Sequence, residues 1–394
     1  MNPQAKRATT GWAAKFFGFV LFGAVGCSTA APGAPGTESA GDTGSPTGSG
    51  SSSSGGGSSS GSNGTETPDA SPVNGGSGSS GSGSGSSSGG GASSSSSSGA
   101  ALPPGEVWGA SKQLSGSVQI AAGDTVTIAP GATIAVAAGT TITVAGTLNA
   151  SSATPTHAKL MGSGWKGVVV ASGGTLALDG VDIAGASTAL DVKSGATKAE
   201  YDDGNIDGAT MPFNVEAGGA LSTRGATVTG TKGGSQVSGS FTASHLDYNS
   251  ATYPGITTMS PAATLSIEDS TLHGGGPIAD FLVSSGGAAK FHVAYTNITN
   301  VHCAFHFDTI TAFDISYTNA QKDAFGFMLY GSGAGGSVKY SNIDDKPGVA
   351  YATAGSNGPI AFDNCYVTGQ TAGGTVVTTT NPQSTTVMGA GPRP

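Results

Sequence analysis

The segments Leu265-Ser-Ile-Glu-Asp-Ser-Thr-Leu272, Phe291-His-Val-Ala-Tyr-Thr-Asn-Ile298 and Phe313-Asp-Ile-Ser-Tyr-Thr-Asn-Ala320 share one template. It reads apolar, any residue, apolar, a turn, and then small, polar and apolar. The last apolar position recurs at a mean spacing of 23 residues, at Ile183, Ile206, Val228, Tyr248, Leu272, Ile298, Ala320, Ile343 and Val367. So regular a spacing indicates a structural repeat.

Other positions recur in step with this anchor. Five residues before each anchor stand Leu178, Tyr201, Thr223, Ala243, Ile267, Val293, Ile315, Val338 and Phe362. Apolar residues two apart place their side chains on one face of a β-strand. A repeat with two or three short strands cannot bury that face alone, so successive repeats must stack about 4.8 Å apart. The β-branched, glycine-broken segments exclude helical repeats, and the Leu-x-x-Leu-x-Leu pattern of leucine-rich repeats is missing.

The region before the first anchor has a faster rhythm. Val118-Gln-Ile120, Val126-Thr-Ile128, Ile134-Ala-Val136 and Ile142-Thr-Val144 follow one another at eight-residue steps. Next come Gly146-Thr-Leu-Asn-Ala150 and Trp165-Lys-Gly-Val-Val-Val170. We interpret the eight-residue run as a tighter opening of the solenoid.

These motifs resemble the opening of many bacterial surface β-helices with a pectin-lyase-like scaffold. The resemblance covers about residues 118–370 and implies a right-handed, single-stranded parallel β-helix, in agreement with the handedness rule for parallel crossovers. It implies little about function, because unrelated activities share this scaffold. The sequence therefore predicts an all-β chain with a parallel β-helix over residues 102–394.

The N-terminal segment is typical of an export signal. Lys6, Arg7 and Lys15 precede a short apolar run that is too short to span a bilayer. The run leads to Cys27 in a segment that resembles a bacterial lipobox, although alanine stands at position 24 where leucine is usual. We expect a signal peptide over 1–26, a lipidated Cys27 and an outer-membrane anchor, which Ser28 favours by the same resemblance; a plain secretory signal is the alternative.

The stretch over 27–101 is predicted to be a disordered tether. It consists almost entirely of Gly, Ser, Thr, Ala and Pro and lacks the apolar surface to offset the entropy of ordering. A flexible chain of this length has an end-to-end distance of about 45 Å. We expect this tether to hold the β-helix in the periplasm or at the cell surface, as a monomer.

Charge restricts the partners. The net charge of −9 argues against nucleic acid, because phosphate binding needs clustered Lys and Arg. The only arginines of the chain are Arg7, Arg224 and Arg393. No cofactor motif is recognisable.

Cysteine and histidine invite a disulfide or a metal site. Cys303 and Cys365 are assigned to repeats three turns apart, about 14 Å, and disulfide Cα atoms must approach within about 7 Å, so two separate thiols are expected. The run His302-Cys303-Ala-Phe-His306-Phe-Asp308 holds zinc-compatible side chains, with His292 one strand earlier, but matches no closed zinc pattern. We expect no metal.

Tyr295, Tyr317 and Tyr340 occupy one column on three consecutive repeats, three residues before the anchors. Their rings are predicted to stack as an aromatic strip, which serves either as a sugar platform or as a ladder that stiffens a turn. Beside them, Asn297, Asn319 and Asn342 are predicted to form a side-chain amide ladder.

An enzymatic alternative rests on another column. The scaffold resembles that of pectate lyases, in which a basic residue acts beside acidic calcium ligands. Here Asp179, Asp202, Arg224 and Glu268 share the position four residues before the anchors. The polygalacturonase motifs are missing, and isolated Asp pairs near turns are expected for backbone capping.

Three functions therefore stand against one another. We favour a non-catalytic cell-envelope lipoprotein that presents its β-helix for binding or adhesion, with a polysaccharide or protein partner. The alternative is a carbohydrate-active lyase or hydrolase. The third is a purely structural spacer.

Overall fold

The computed structural model describes residues 100–101, 103–151, 156–250, 254–276, 278–285, 289–307, 311–323, 325–330, 335–345, 351–354, 360–368 and 377–394. The predicted signal peptide, Cys27 and nearly all of the predicted tether lie outside these ranges. Within them the secondary structure is entirely strands and turns, and no helix is long and apolar enough to cross a membrane.

The described strands form three parallel sheets, and the chain visits them in the same order up to Tyr366–Thr368; the last described strand, Val377–Thr380, pairs with Ile360–Asp363. Sheet A contains Ala100–Ala101, Val118–Ile120, Thr141–Val144, Gly167–Val170, Thr188–Val192, Met211–Val215, Ser235–Val237, Ile256–Thr258, Asp280–Ser284, Cys303–Phe307, Phe325–Tyr330 and Tyr351–Ala354. Sheet B contains Glu106–Trp108, Thr125–Ile128, Thr147–Ser151, Thr175–Asp179, Lys198–Asp202, Ala220–Arg224, Ser240–Ser244, Thr264–Glu268, Ala289–Ala294, Thr311–Ser316, Gly335–Lys339, Ile360–Asp363 and Val377–Thr380. Sheet C contains Ser111–Leu114, Thr133–Val136, Ala158–Trp165, Val181–Ala186, Asn205–Asp207, Thr227–Thr229, Asp247–Asn249, Thr271–His273, Asn297–Thr299, Asn319–Asp323, Asn342–Asp345 and Tyr366–Thr368.

Strand register confirms the predicted parallel β-helix of about 23 residues per turn. Every anchor pairs with the next one in sheet C, from Ile183 with Ile206 to Ile343 with Val367. The second apolar column is likewise continuous in sheet B, from Leu178 to Phe362. Each turn of the helix therefore consists of three short strands, one per sheet.

The eight-residue run at the start is not a tighter solenoid. Val118 pairs with Ile142, 24 residues later, whereas Val126 lies in sheet B and Ile134 in sheet C. Three eight-residue segments thus make one ordinary turn. The eight-residue rhythm is visible in the sequence because the connections between successive strands are short and equal in this region, whereas later connections vary in length.

The interior changes character along the axis. Sheet A contributes a ladder of valines in its first half, Val144, Val170, Val192, Val215 and Val237. In the second half the interior is aromatic, with ring centroids 4.7–6.2 Å apart among Phe291, Phe305, Phe307, Phe313, Phe327 and Phe362. Continuous apolar columns of this kind are what stabilises stacked repeats that could not fold singly.

Cys303 and Cys365 are both buried and are not joined in a disulfide, as predicted. Cys365 occupies a column of small residues with Ser270, Thr296, Thr318 and Ser341, all of them buried. Its Sγ donates to the carbonyl of Asp363 at 3.3 Å. Burial raises the pKa of the Cys365 thiol, with smaller opposing contributions from backbone hydrogen bonds.

Candidate functional site

The turn between sheet B and sheet C, here called the BC turn, is the most regular surface feature. On nine consecutive BC turns one residue adopts a left-handed backbone with φ between 47° and 66°: Gly180, Asp203, Gly225, His245, Asp269, Tyr295, Tyr317, Tyr340 and Asn364. Asn381, after the last described sheet B strand, does the same with φ 50°. Glycine, asparagine and aspartate tolerate this conformation, but tyrosine does so at a cost of about 1–2 kcal/mol. Repetition of tyrosine at three such positions therefore requires a compensating contact.

That contact is ring stacking along the solenoid axis. The rings of Tyr295 and Tyr317 lie 4.7 Å apart and 3° from parallel, and those of Tyr317 and Tyr340 lie 5.0 Å apart at 15°. The predicted aromatic column is therefore present. Because the rings stack on one another, the column presents mainly edges and hydroxyl groups outward, and a pyranose would find few ring faces free. Ligand binding by these tyrosines stays a prediction.

An amide ladder runs beside the tyrosine column, at the start of the sheet C strands. Asn319 donates from Nδ2 to Oδ1 of Asn297 at 2.7 Å, and Asn342 donates in the same way to Asn319 at 2.7 Å. The predicted asparagine ladder is confirmed. Between the two columns, the hydroxyls of Thr296 and Thr318 donate to carbonyls two residues earlier, which ties each turn to its own strand.

A segment that the sequence did not flag covers this ladder. Residues 383–394, here called the strap, leave the last described turn and run back over earlier ones. The Val387 N–H donates to Asn342 Oδ1 at 2.6 Å, and Asn342 Nδ2 donates to the Val387 carbonyl at 3.1 Å. One turn earlier, Asn319 Nδ2 donates to the Ala390 carbonyl at 3.0 Å, and Gly391 N–H donates to the Tyr317 carbonyl at 2.7 Å.

Arg393 fixes the far end of the strap. Its guanidinium donates through Nε and Nη2 to the two carboxylate oxygens of Asp269, both at 2.7 Å, and its Cζ lies 3.8 Å from the centre of the Tyr295 ring. The stack therefore continues from the tyrosines to the arginine. Hydrogen bonding from Arg393 is the main cause that lowers the pKa of Asp269. No repeat pattern extends into the strap, so sequence periodicity could not have found this contact.

The acidic column of the enzymatic alternative has the predicted register. Asp179, Asp202, Arg224, Ser244 and Glu268 pair successively across sheet B. Successive members are one strand spacing apart, about 4.8 Å, so Arg224 and Glu268 are separated by two spacings. The column is a line along the axis and does not converge on one point.

The individual contacts of this column are local. Asp202 Oδ1 accepts the backbone N–H of Arg224 at 2.8 Å. Burial raises the pKa of the Asp202 carboxyl, against opposing contributions from Arg224. Among the described residues the Arg224 guanidinium forms no ion pair. It lines a cleft of about 310 Å³ with Asp203, Gly225 and His245.

Glu268 has different neighbours. Its carboxylate lies 3.5 Å from His292 Nε2 and 3.8 Å from Arg393 Nη2, and all three side chains are well exposed. His292 also lies 3.6 Å from Asp314. Glu268 is thus nearer to the strap than to Arg224.

The histidine run that suggested metal ligands is organised by a residue outside it. Asp280 is almost fully buried and accepts from Nδ1 of His302 at 2.9 Å and from Nδ1 of His306 at 2.6 Å. Cys303 points into the core and donates to the Phe305 carbonyl at 3.1 Å, and Asp308 lies outside the described residues. Within the described ranges no three His, Cys, Asp or Glu side chains are placed to hold a metal ion.

A further histidine–carboxylate pair lies near the start of the solenoid. His157 Nδ1 is 2.9 Å from Asp182 Oδ1, beside Lys159 in an open cleft of about 430 Å³ that also includes Thr133 and Thr156. Both partners of the pair are partly exposed. The cleft is polar and shallow and contains no second carboxylate among its lining residues.

No family model, no curated protein and no solved structure matches the chain.

Proposed function

We propose that this chain is a non-catalytic cell-envelope protein, anchored through Cys27 and a Ser/Gly-rich tether, that presents its β-helix as a binding surface. The observation that carries the proposal is the paired ladder of the BC turn. Three stacked tyrosines and three hydrogen-bonded asparagines on consecutive turns form a rigid, repetitive array of polar and aromatic groups. Preorganised arrays of this kind lose little entropy when a ligand binds.

The anchoring half is supported by the lipobox-like segment before Cys27 and is tested separately. Metabolic labelling of the producing cells with a fatty-acid probe is expected to label the full chain and not Cys27→Ala. Partition of the labelled chain into detergent is expected as well. A Cys27→Ala variant that is labelled and membrane-bound like the wild type contradicts this half.

The binding half is tested with the chain freed of its signal segment. We expect retention on immobilised cell-envelope material, without turnover. Tyr340→Ala removes the most exposed ring of the column and is expected to weaken retention at least several-fold. Met161→Ala is the control, because Met161 is 42% exposed on a sheet C strand near the start of the solenoid, outside both columns.

A carbohydrate-active enzyme is the second candidate, favoured by the cleft at Arg224 and by the raised pKa of Asp202, which suits proton transfer. It predicts unsaturated products or new reducing ends from pectin, alginate or cell-envelope polysaccharides. Turnover that is abolished by Arg224→Ala would replace the first proposal with this one.

A further inference from the structure

The strap contacts the BC turn mostly through its backbone. Its N–H and C=O groups at Val387, Ala390 and Gly391 meet the asparagine side chains and one turn carbonyl. The side-chain amide of Asn342 accepts from the N–H of Val387 and donates to the carbonyl of the same residue. The Met388 side chain of the strap, in contrast, is 93% exposed. A surface that binds backbone groups in this way accepts peptides with many different side chains.

Gly391 is one of two positions where the surface is selective. It is buried and has φ +106°, and a Cβ atom there would lie 2.8 Å from Asn297 Oδ1 and 2.9 Å from Asn319 Nδ2. Only glycine fits without a shift of the ladder. Gly389 also has a positive φ, but a Cβ atom there would meet nothing within 4 Å.

The second selective position takes an arginine. Asp269, with a side chain only 9% exposed, receives both arms of the guanidinium, Glu268 adds a second negative charge at 3.8 Å, and the Tyr295 ring covers the planar face. A planar fork matches this arrangement, and a lysine ammonium does not. Neutral or anionic glycans bring hydroxyl donors but no positive charge to pair with these two carboxylates.

We propose that the asparagine ladder, the tyrosine column and Asp269 form a peptide-binding surface for a Gly-x-Arg segment of another polypeptide, and that the strap is its built-in competitor. This inference rests on the proposed binding function and names its partner class. A tethered competitor acts at an effective concentration of about the millimolar range. Binding in trans is therefore weak until the strap is displaced.

The test uses the full chain with a specific protease site inserted after Pro382, cut after folding and then dialysed. The probe is a fluorescent peptide with the sequence of residues 383–394, and binding is measured by anisotropy. We expect the peptide to bind the cut protein at least ten-fold more tightly than the uncut one. In the peptide, Gly391→Ala and Arg393→Ala are expected to lose at least ten-fold in affinity, whereas Gly389→Ala, the matched control, stays within a few-fold.

A second measurement covers the case in which the cut strap does not leave. In the uncut chain, Gly391→Ala is expected to loosen the strap and to raise the affinity for the wild-type peptide. Equal binding of all peptides, or equal binding by cut and uncut protein without an effect of Gly391→Ala in the chain, overturns the inference. Polysaccharide retention without peptide binding overturns it too but leaves the proposed binding function standing, whereas turnover overturns that function itself.

Discussion

Gly167 lies where two successive turns of the backbone come closest. It follows the fully buried Trp165 by two residues, has φ +112°, and leaves room for the carbonyl of Thr188, which a Cβ atom would approach to 1.5 Å. The Trp-x-Gly motif in the sequence thus has a steric cause. The tryptophan side chain is buried in the interior and donates to the Ala184 carbonyl at 2.9 Å. The glycine leaves space for the backbone of the next turn of the β-helix.

Gly167→Ala is expected to lose more than about 4 kcal/mol of stability, because the clash is with backbone that cannot move aside. Gly173→Ala is the matched control. Its φ of +76° carries a similar strain, but a Cβ atom there would meet nothing within 4 Å, so a loss of about 1 kcal/mol is expected. Urea unfolding followed by tryptophan fluorescence measures both; equal midpoints would refute the steric explanation.

Tyr317 combines an unfavourable backbone with favourable stacking on both ring faces. Tyr317→Asn keeps a residue that tolerates the left-handed backbone but removes two stacking contacts, and we expect a loss of about 1–2 kcal/mol. Tyr317→Val removes the same contacts and places a β-branched residue in the left-handed conformation. We expect its stability loss to exceed that of Tyr317→Asn by about 1–2 kcal/mol. Chemical denaturation ranks the three proteins, and a valine variant as stable as the asparagine variant contradicts the backbone argument.

The asparagine ladder shows how an element of this fold is stabilised from outside the core. Asn319 donates to Asn297 and accepts from Asn342, so that three turns are joined by two bonds of the same kind. The ladder also holds the strap, through Asn319 and Asn342. A change in one amide should therefore affect both the turns and the strap.

Asn319→Asp tests this coupling. The carboxylate cannot donate to Asn297 or to the Ala390 carbonyl and faces acceptors instead, so we expect a loss of about 1–3 kcal/mol. Faster hydrogen exchange at the Gly391 amide is expected in the same protein. Asn249→Asp serves as control, because Asn249 is exposed on a sheet C strand two turns before the ladder begins; a similar loss there would show that charge alone is responsible.

At the scale of the whole molecule, the strap brings together residues 124 positions apart in the chain, Arg393 and Asp269. Because Arg393 lowers the pKa of Asp269 in the folded protein, the contact contributes fully above the ordinary carboxyl pKa of about 3.9. It is lost as the pH falls through the lowered value.

Acid is therefore expected to release the strap before the solenoid unfolds. Hydrogen exchange at Gly391, measured between neutral pH and pH values below the ordinary carboxyl pKa, follows the release. Asp269→Asn is expected to hold the strap weakly at neutral pH already and to remove most of the pH dependence. A strap that stays protected in acid, or an unchanged pH profile in Asp269→Asn, contradicts this role of the ion pair.

The repeat by itself determined the fold. The apolar residues of one repeat of about 23 residues cannot be buried within that repeat, so successive repeats must stack on one another and bury columns such as the anchor column. For the same reason the tyrosine and asparagine columns could be placed side by side from the sequence. The interpretation of the eight-residue run as a tighter solenoid was wrong. Three equally spaced strands that belong to three different sheets look, in the sequence alone, like one shorter repeat.

Only the tertiary structure decided how the surface side chains are used. The strap carries no periodicity, so its return over the ladder and the pairing of Arg393 with Asp269 follow from three-dimensional proximity alone. The same holds for Asp280, whose link to His302 and His306 spans a full turn of the helix. Periodic burial can be recognised in a sequence, whereas single long-range polar contacts depend on where the chain folds back.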